Sequence, residues 1–131
     1  MNQESRLDLV PIKSFTDLRA WQEGHKLKIM IYKMTDKFPK HELFGLSSQI
    51  KRASSSITSN IAEGFTRQSY KEKVKFYYIS HGSLTEVQDQ LLTARDVGYI
   101  DNEEFNKHAK QTILTHKIIS GLIKKSKSHY S

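Results

Sequence analysis

The sequence predicts an all-α protein, folded as an up-down-up-down antiparallel four-helix bundle. Three observations carry that expectation. Apolar residues recur at intervals of three and four in four long segments, as one face of a helix requires. The two prolines, and Gly45, Gly64 and Gly98 among the six glycines, fall outside those segments or at their ends. No strand pattern competes, since β-branched runs are short and no Asn-Gly or Asp-Gly turn occurs.

Residues 1–14 read as an N-terminal arm, 15–126 as the bundle domain and 127–131 as a frayed basic tail. The first helix is expected from Asp17 to Lys37. Leu27, Met30, Ile31, Met34 and Phe38 share one face of it, and Pro39 disfavours a helical Phe38. The second is expected from Leu46 to Glu63, after a possible extra turn at His41–Phe44. Its stripe is Leu46, Ile50, Ala53, Ile57 and Ile61, with Gly64 as its stop. The third is expected from Tyr70 to Val97. Ser69 and Glu72 have capping-box spacing, and Tyr70, Val74, Tyr77, Leu84, Leu91 and Ala94 form the inner face. Gly98 marks its end. The fourth is expected from Asn102 to Lys125. Asp101 is its N-cap, and Phe105, Ala109, Thr112, Ile119 and Ile123 face inward. Short connections make neighbours antiparallel.

Composition narrows function. The chain has 131 residues, which suits one domain. It contains no cysteine, which excludes disulfides, Cys-based zinc or iron–sulfur sites and a Cys nucleophile. No apolar run is long enough to cross a bilayer, and the charged start, MNQESRLDLVPIK, is unlike a signal peptide, so a cytoplasmic protein is expected. The 21 Lys and Arg outnumber 14 Asp and Glu, giving a net charge of +7. That excess favours an acidic partner, of which nucleic acid is the commonest, although a merely solubilising charge would look the same.

Basic residues cluster in three places. Arg67, Lys71, Lys73 and Lys75 open the third helix. Lys124, Lys125 and Lys127 close the fourth, and no acidic residue follows Glu104. Lys51 and Arg52 lie on the second helix, and Lys26, Lys28, Lys33 and Lys37 add charge to the first. Phosphate contacts need many cations and no fixed geometry. A polar stripe also runs along the second helix, through Gln49, Arg52, Ser56, Asn60 and Glu63. It reads either as a network across a helix–helix contact or as a solvated face. Consecutive Phe76, Tyr77, Tyr78 and Ile79, and Ile29 to Tyr32, sweep most of a helical circumference. They leave apolar side chains for an oligomer interface or for stacking on bases.

Catalytic signals are weak. His41-Glu42 lacks the second histidine of a zincin, and Ser48-Gln49-Ile50-Lys51 lacks the partner motifs of a serine acyl-transferase. No metal spacing joins the six histidines. No enzyme activity, cofactor or metal is therefore expected. A small-molecule site would require a cavity among Trp21, His25 and His81.

Several blocks carry a family resemblance. Phe15-Thr16-Asp17-Leu18 with Trp21-Gln22 is the first. The second is Phe38-Pro39 with Glu42, Phe44-Gly45-Leu46 and Gln49-Ile50-Lys51-Arg52-Ala53. Then come Ser56-Ile57 and Asn60-Ile61-Ala62-Glu63-Gly64. Last are His81-Gly82-Ser83-Leu84 with Glu86, Gln90-Leu91 and Gly98-Tyr99-Ile100. Over residues 15–100 the chain resembles the bacterial four-helix-bundle proteins encoded in intervening sequences of 23S ribosomal RNA genes. The resemblance implies a barrel-like homopentamer. It also implies kinship with accessory variability proteins of diversity-generating retroelements, which bind nucleic acid and a reverse transcriptase. No catalytic residues carry over. The expectation is thus a non-enzymatic homopentamer that binds an RNA or DNA backbone. The alternative is a scaffold for a protein partner such as a reverse transcriptase.

Overall fold

The computed structural model describes residues 11–130. Most of the expected N-terminal arm, and Ser131, lie outside the described residues. Four helices form the bundle: α1 (Arg19–Thr35), α2 (Leu46–Thr66), α3 (Tyr70–Asp96) and α4 (Asn102–Lys127). Short 3-10 turns at Phe15–Asp17 and Lys40–Glu42 precede α1 and α2. Each helix packs on two neighbours in the ring α1–α2–α3–α4, and diagonal helices do not meet. Consecutive helices are antiparallel, so the start of α3 and the ends of α2 and α4 share one end of the bundle.

The helix starts follow from caps. Ser69 Oγ accepts the Glu72 N–H at 3.1 Å, and Asp101 Oδ1 accepts the Glu104 N–H at 2.8 Å. These satisfy donors that a first helical turn leaves free. Ahead of α1, Asp17 Oδ2 accepts the backbone N–H groups of Lys13 and Ser14, which holds Phe15–Asp17 as a separate turn. Leu18 is extended, so α1 begins at Arg19 rather than Asp17. For α2 the cap comes from outside the helix. Glu42 Oε1 accepts the Leu46 N–H at 3.0 Å, and Tyr99 donates to Glu42 Oε2 at 2.6 Å. The backbone bond to Leu46 is the main reason the Glu42 carboxyl is held below its ordinary value, with the Tyr99 bond second.

Gly98 ends α3 as expected. It has φ +86°, and Tyr99 N–H reaches back to the Ala94 carbonyl at 2.9 Å. Gly64 does not end α2, which continues to Thr66. A Cβ at Gly64 would stand 2.7 Å from Cε1 of Tyr77, so this glycine lets α3 approach.

The core comprises Leu27, Ile31 and Met34 of α1, Ile50, Ala53, Ile57 and Ile61 of α2, and Val74, Tyr77, Leu84, Val87, Leu91 and Ala94 of α3, with Ile119 and Ile123 of α4. Tyr70, expected inside, is exposed in the first turn of α3 and stacks on His129 at 4.1 Å. The inner face of α4 is partly polar: His108, Gln111, Thr112 and Thr115 are buried. The His108 ring nitrogens face the carbonyls of Glu104 (2.8 Å) and Met30 (3.2 Å). Gln111 Nε2 donates to Glu23 Oε2 at 2.8 Å, tying α4 to α1. No helix among the described residues is long and apolar enough to cross a membrane.

Candidate nucleic-acid interface

The hairpin of α3 and α4 brings together two basic clusters that lie far apart in sequence. Tyr70 stacks on His129, and Lys127 Nζ donates to the Tyr78 hydroxyl at 3.0 Å. Those contacts place Lys71 and Lys75 at the same end of the bundle as Lys124, Lys125 and Lys127. All five are exposed. The Tyr78 hydrogen bond raises the Lys127 pKa above the usual lysine range, so Lys127 stays charged.

The other members of the first cluster have structural work. Lys73 Nζ donates to the Phe65 carbonyl at 2.6 Å and lies 3.5 Å from the Gly64 carbonyl. It satisfies acceptors that the last turn of α2 leaves free and meets the negative end of that helix dipole. Burial pulls its pKa down. Arg67 bonds Glu63 one turn earlier and lies over the Phe76 ring at 4.5 Å. Lys51 and Arg52 do not join this end. They sit on the first half of α2, with Lys51 Nζ 5.3 Å from the centre of the Tyr32 ring.

The polar stripe of α2 divides. Its middle is a network across the α2–α3 contact: Asn60 Nδ2 donates to the Ser56 carbonyl and hydroxyl, and Ser83 Oγ donates to Ser56 Oγ at 2.8 Å. Beside it, Ser80 Oγ donates to the Ile57 carbonyl at 2.7 Å. The ends are exposed. Glu63 pairs with Arg67, while Gln49 and Arg52 border a shallow polar pocket with Glu86.

Two further groupings emerge only in three dimensions. Lys26, Lys33, Lys37 and Lys107 rim a groove of about 570 Å³ between α1 and α4, floored by Met30 and Met34. The spacing of Lys26, Lys33 and Lys37 places them on one helical face, which is the signal that could have found it. His81 of α3 and His116 of α4 pack with ring centres 4.2 Å apart. Trp21 and His25 stack on each other on α1 and do not line the pocket at His81. Among the described residues, no group of three or more metal-ligating side chains could hold a metal ion.

The far end carries exposed Asp96, Asp101 and Glu103. Exposed Lys33, Lys37 and Lys40 lie at that end too, so positive charge is offset there and in excess at the lysine end.

Residues 16–121 match the 23S rRNA-intervening sequence protein family, which takes in α1, α2, α3 and most of α4. The chain belongs to that family. Lys124, Lys125 and Lys127 lie beyond the matched segment. A similar fold is seen in the crystal structure of a protein of unknown function from the S23 ribosomal protein family of Bacteroides thetaiotaomicron. It is 22% identical, with a TM-score of 0.72, over 80% of this chain and 98% of that one. No curated protein matches the chain.

Proposed function

We propose that this intervening-sequence family protein is a non-enzymatic, low-specificity binder of RNA or DNA backbones, acting as a homopentamer in the cytoplasm. The observation that supports this reading is the convergence of Lys71 and Lys75 with Lys124, Lys125 and Lys127 on one end of the bundle. These side chains are exposed, and the start of α3 adds the positive end of its dipole. Lys73 and Arg67 support this end from within. Exposed Leu92, Val97, Ile113 and Leu114 on the α3–α4 side supply apolar surface for subunit contacts. Repetition in a ring would turn weak phosphate contacts into avidity.

Binding to labelled ribosomal RNA fragments and matched DNA across a salt series tests the reading. Affinity should fall log–log with salt at a slope of about −0.7 to −0.9 per phosphate contact. A flat or absent response near physiological salt, from a folded oligomer, would overturn it. One observation favours a second reading, a scaffold for a protein partner such as a reverse transcriptase. Phe44, at the end opposite the lysines, is 92% exposed beside exposed Leu43. Phe44→Ser would weaken partner binding and leave RNA affinity unchanged if that reading holds.

A further inference from the structure

His81 and His116 face each other across the α3–α4 seam at the mouth of a pocket of about 440 Å³. Ser120, Tyr78, Lys124 and Lys127 complete its polar lining, and Ile123 forms its floor. The parts are held in place. Ser120 Oγ lies 3.5 Å from His81 Nε2, and Lys127 Nζ is anchored on the Tyr78 hydroxyl. No carboxylate lines the pocket, from either helix. Every polar group there can donate a hydrogen bond, and four of them can carry positive charge. Two imidazoles this close resist carrying two protons unless an anion lies between them. Burial, and next the neighbouring His116, lower the His81 pKa. His81 thus gives up its proton more readily than an ordinary histidine.

We propose that this pocket is a seat for a phosphomonoester, whose two negative charges draw protons onto the histidine pair. A monoester suits it better than an internal phosphodiester. A diester brings one charge and two bulky substituents, whereas the site is concave, offers two lysines and can add up to two imidazolium charges. The source is either the terminal phosphate of a nucleic acid strand or a small phosphorylated molecule. The seat shares Lys124 and Lys127 with the interface proposed above, but binding of free phosphate does not depend on that reading.

The test is an NMR titration of the histidine C2–H signals with inorganic phosphate, at constant ionic strength set by chloride. Phosphate should shift the His81 and His116 signals saturably and raise the pKa of His81, leaving the signal of distant His41 in place. Sulfate, which keeps two charges throughout, should bind more tightly at about pH 6 than at about pH 8, because the histidines take up protons. His116→Gln and Lys124→Gln should each weaken phosphate binding about tenfold, for loss of one charge-assisted hydrogen bond. Both positions are solvent-accessible, and an unchanged helical circular-dichroism melt confirms that the variants fold. Unsaturable shifts shared by all the exposed histidines would mean screening alone and overturn the seat. So would saturable binding that both variants leave intact. An oligonucleotide with a 5′-phosphate, set against the same strand with a 5′-hydroxyl, identifies the source. Tighter binding of the phosphorylated strand assigns a nucleic-acid end. Equal binding alongside saturable free phosphate assigns a small phosphate ester.

Discussion

At one end of the bundle α2 stops against the start of α3, and at the other α1 turns into α2 beneath the α3–α4 turn. The first end is closed largely by shape. Gly64 admits the Tyr77 ring, and Lys73 caps α2. Lys71, Lys75, Lys124 and Lys125 are left exposed around that closure. The second end is closed largely by carboxylates. Glu42 caps α2 and accepts from Tyr99, Asp101 caps α4, and Glu104 lies 3.8 Å from Lys37. Glu42 and Asp101 at the second end are engaged in folding, whereas Lys71, Lys75, Lys124 and Lys125 at the first end are exposed to a ligand. Density of charge alone would not separate these roles.

The difference can be broken most strongly by charge reversal. Changing Lys71, Lys75, Lys124 and Lys125 to Glu should lower nucleic-acid affinity about 100-fold or more at low salt. Stability should change little, since surface substitutions usually stay within about 0.5 kcal/mol each. Reversing Asp96 and Glu103 to Lys should not weaken binding. Filter binding beside thermal melts reads both. If the two reversals weaken binding equally, the ends do not differ in function.

Next in size is a steric break. Gly64→Ala should destabilise by about 1–3 kcal/mol, because the Tyr77 ring has to move. Gly121→Ala is the matched control. Its Cβ would meet nothing within 4 Å in mid-α4, so the change should be neutral or stabilise by up to about 1 kcal/mol. Urea unfolding of the pair measures this.

The caps follow. Ser69→Ala at the first end and Asp101→Ala at the second end should each cost about 1 kcal/mol. Only the Ser69 variant should also loosen the lysines that open α3, seen as faster amide exchange there.

The smallest effect is a pH dependence at the end that Glu42 closes. The folded-state pKa of Glu42 lies below its ordinary 4.5. Its stabilising bonds are therefore fully present above that value and are lost as pH falls through the folded value. Glu42→Gln should lower stability near neutrality, where the carboxylate's bonds are fully present, and the difference from the parent chain should shrink as pH falls through that acidic window, which thermal melts across pH measure.

Much of the architecture was legible in the sequence, because apolar periodicity and caps are local. The Ser69 and Asp101 starts and the left-handed Gly98 needed only neighbouring residues. Gly64 misled because a glycine that ends a helix and one that admits a ring look alike until Tyr77 is placed beside it. The buried face of α4 was partly hidden because His108, Gln111 and Thr115 are polar, and only their partners on α1 and α4 make them core. The candidate site was legible as charge but not as geometry. Lys73 is a cap while Lys71 and Lys75 are exposed, a division set by where α2 ends. The His81–His116 pair needed the register of the α3–α4 hairpin.

One consequence of the lopsided charge concerns motion before contact. With α3 alone running 27 residues, about 40 Å, the lysine-rich end and the charge-balanced end form a long electric lever. A polyanion would be drawn more strongly to the lysine end than to the charge-balanced other end, and that imbalance would exert a torque. Under the proposed nucleic-acid reading, the protein would turn as it approaches and arrive end-on, lysines foremost. The carboxylates at the far end, by offsetting the lysines there, would help to aim such an encounter without touching it.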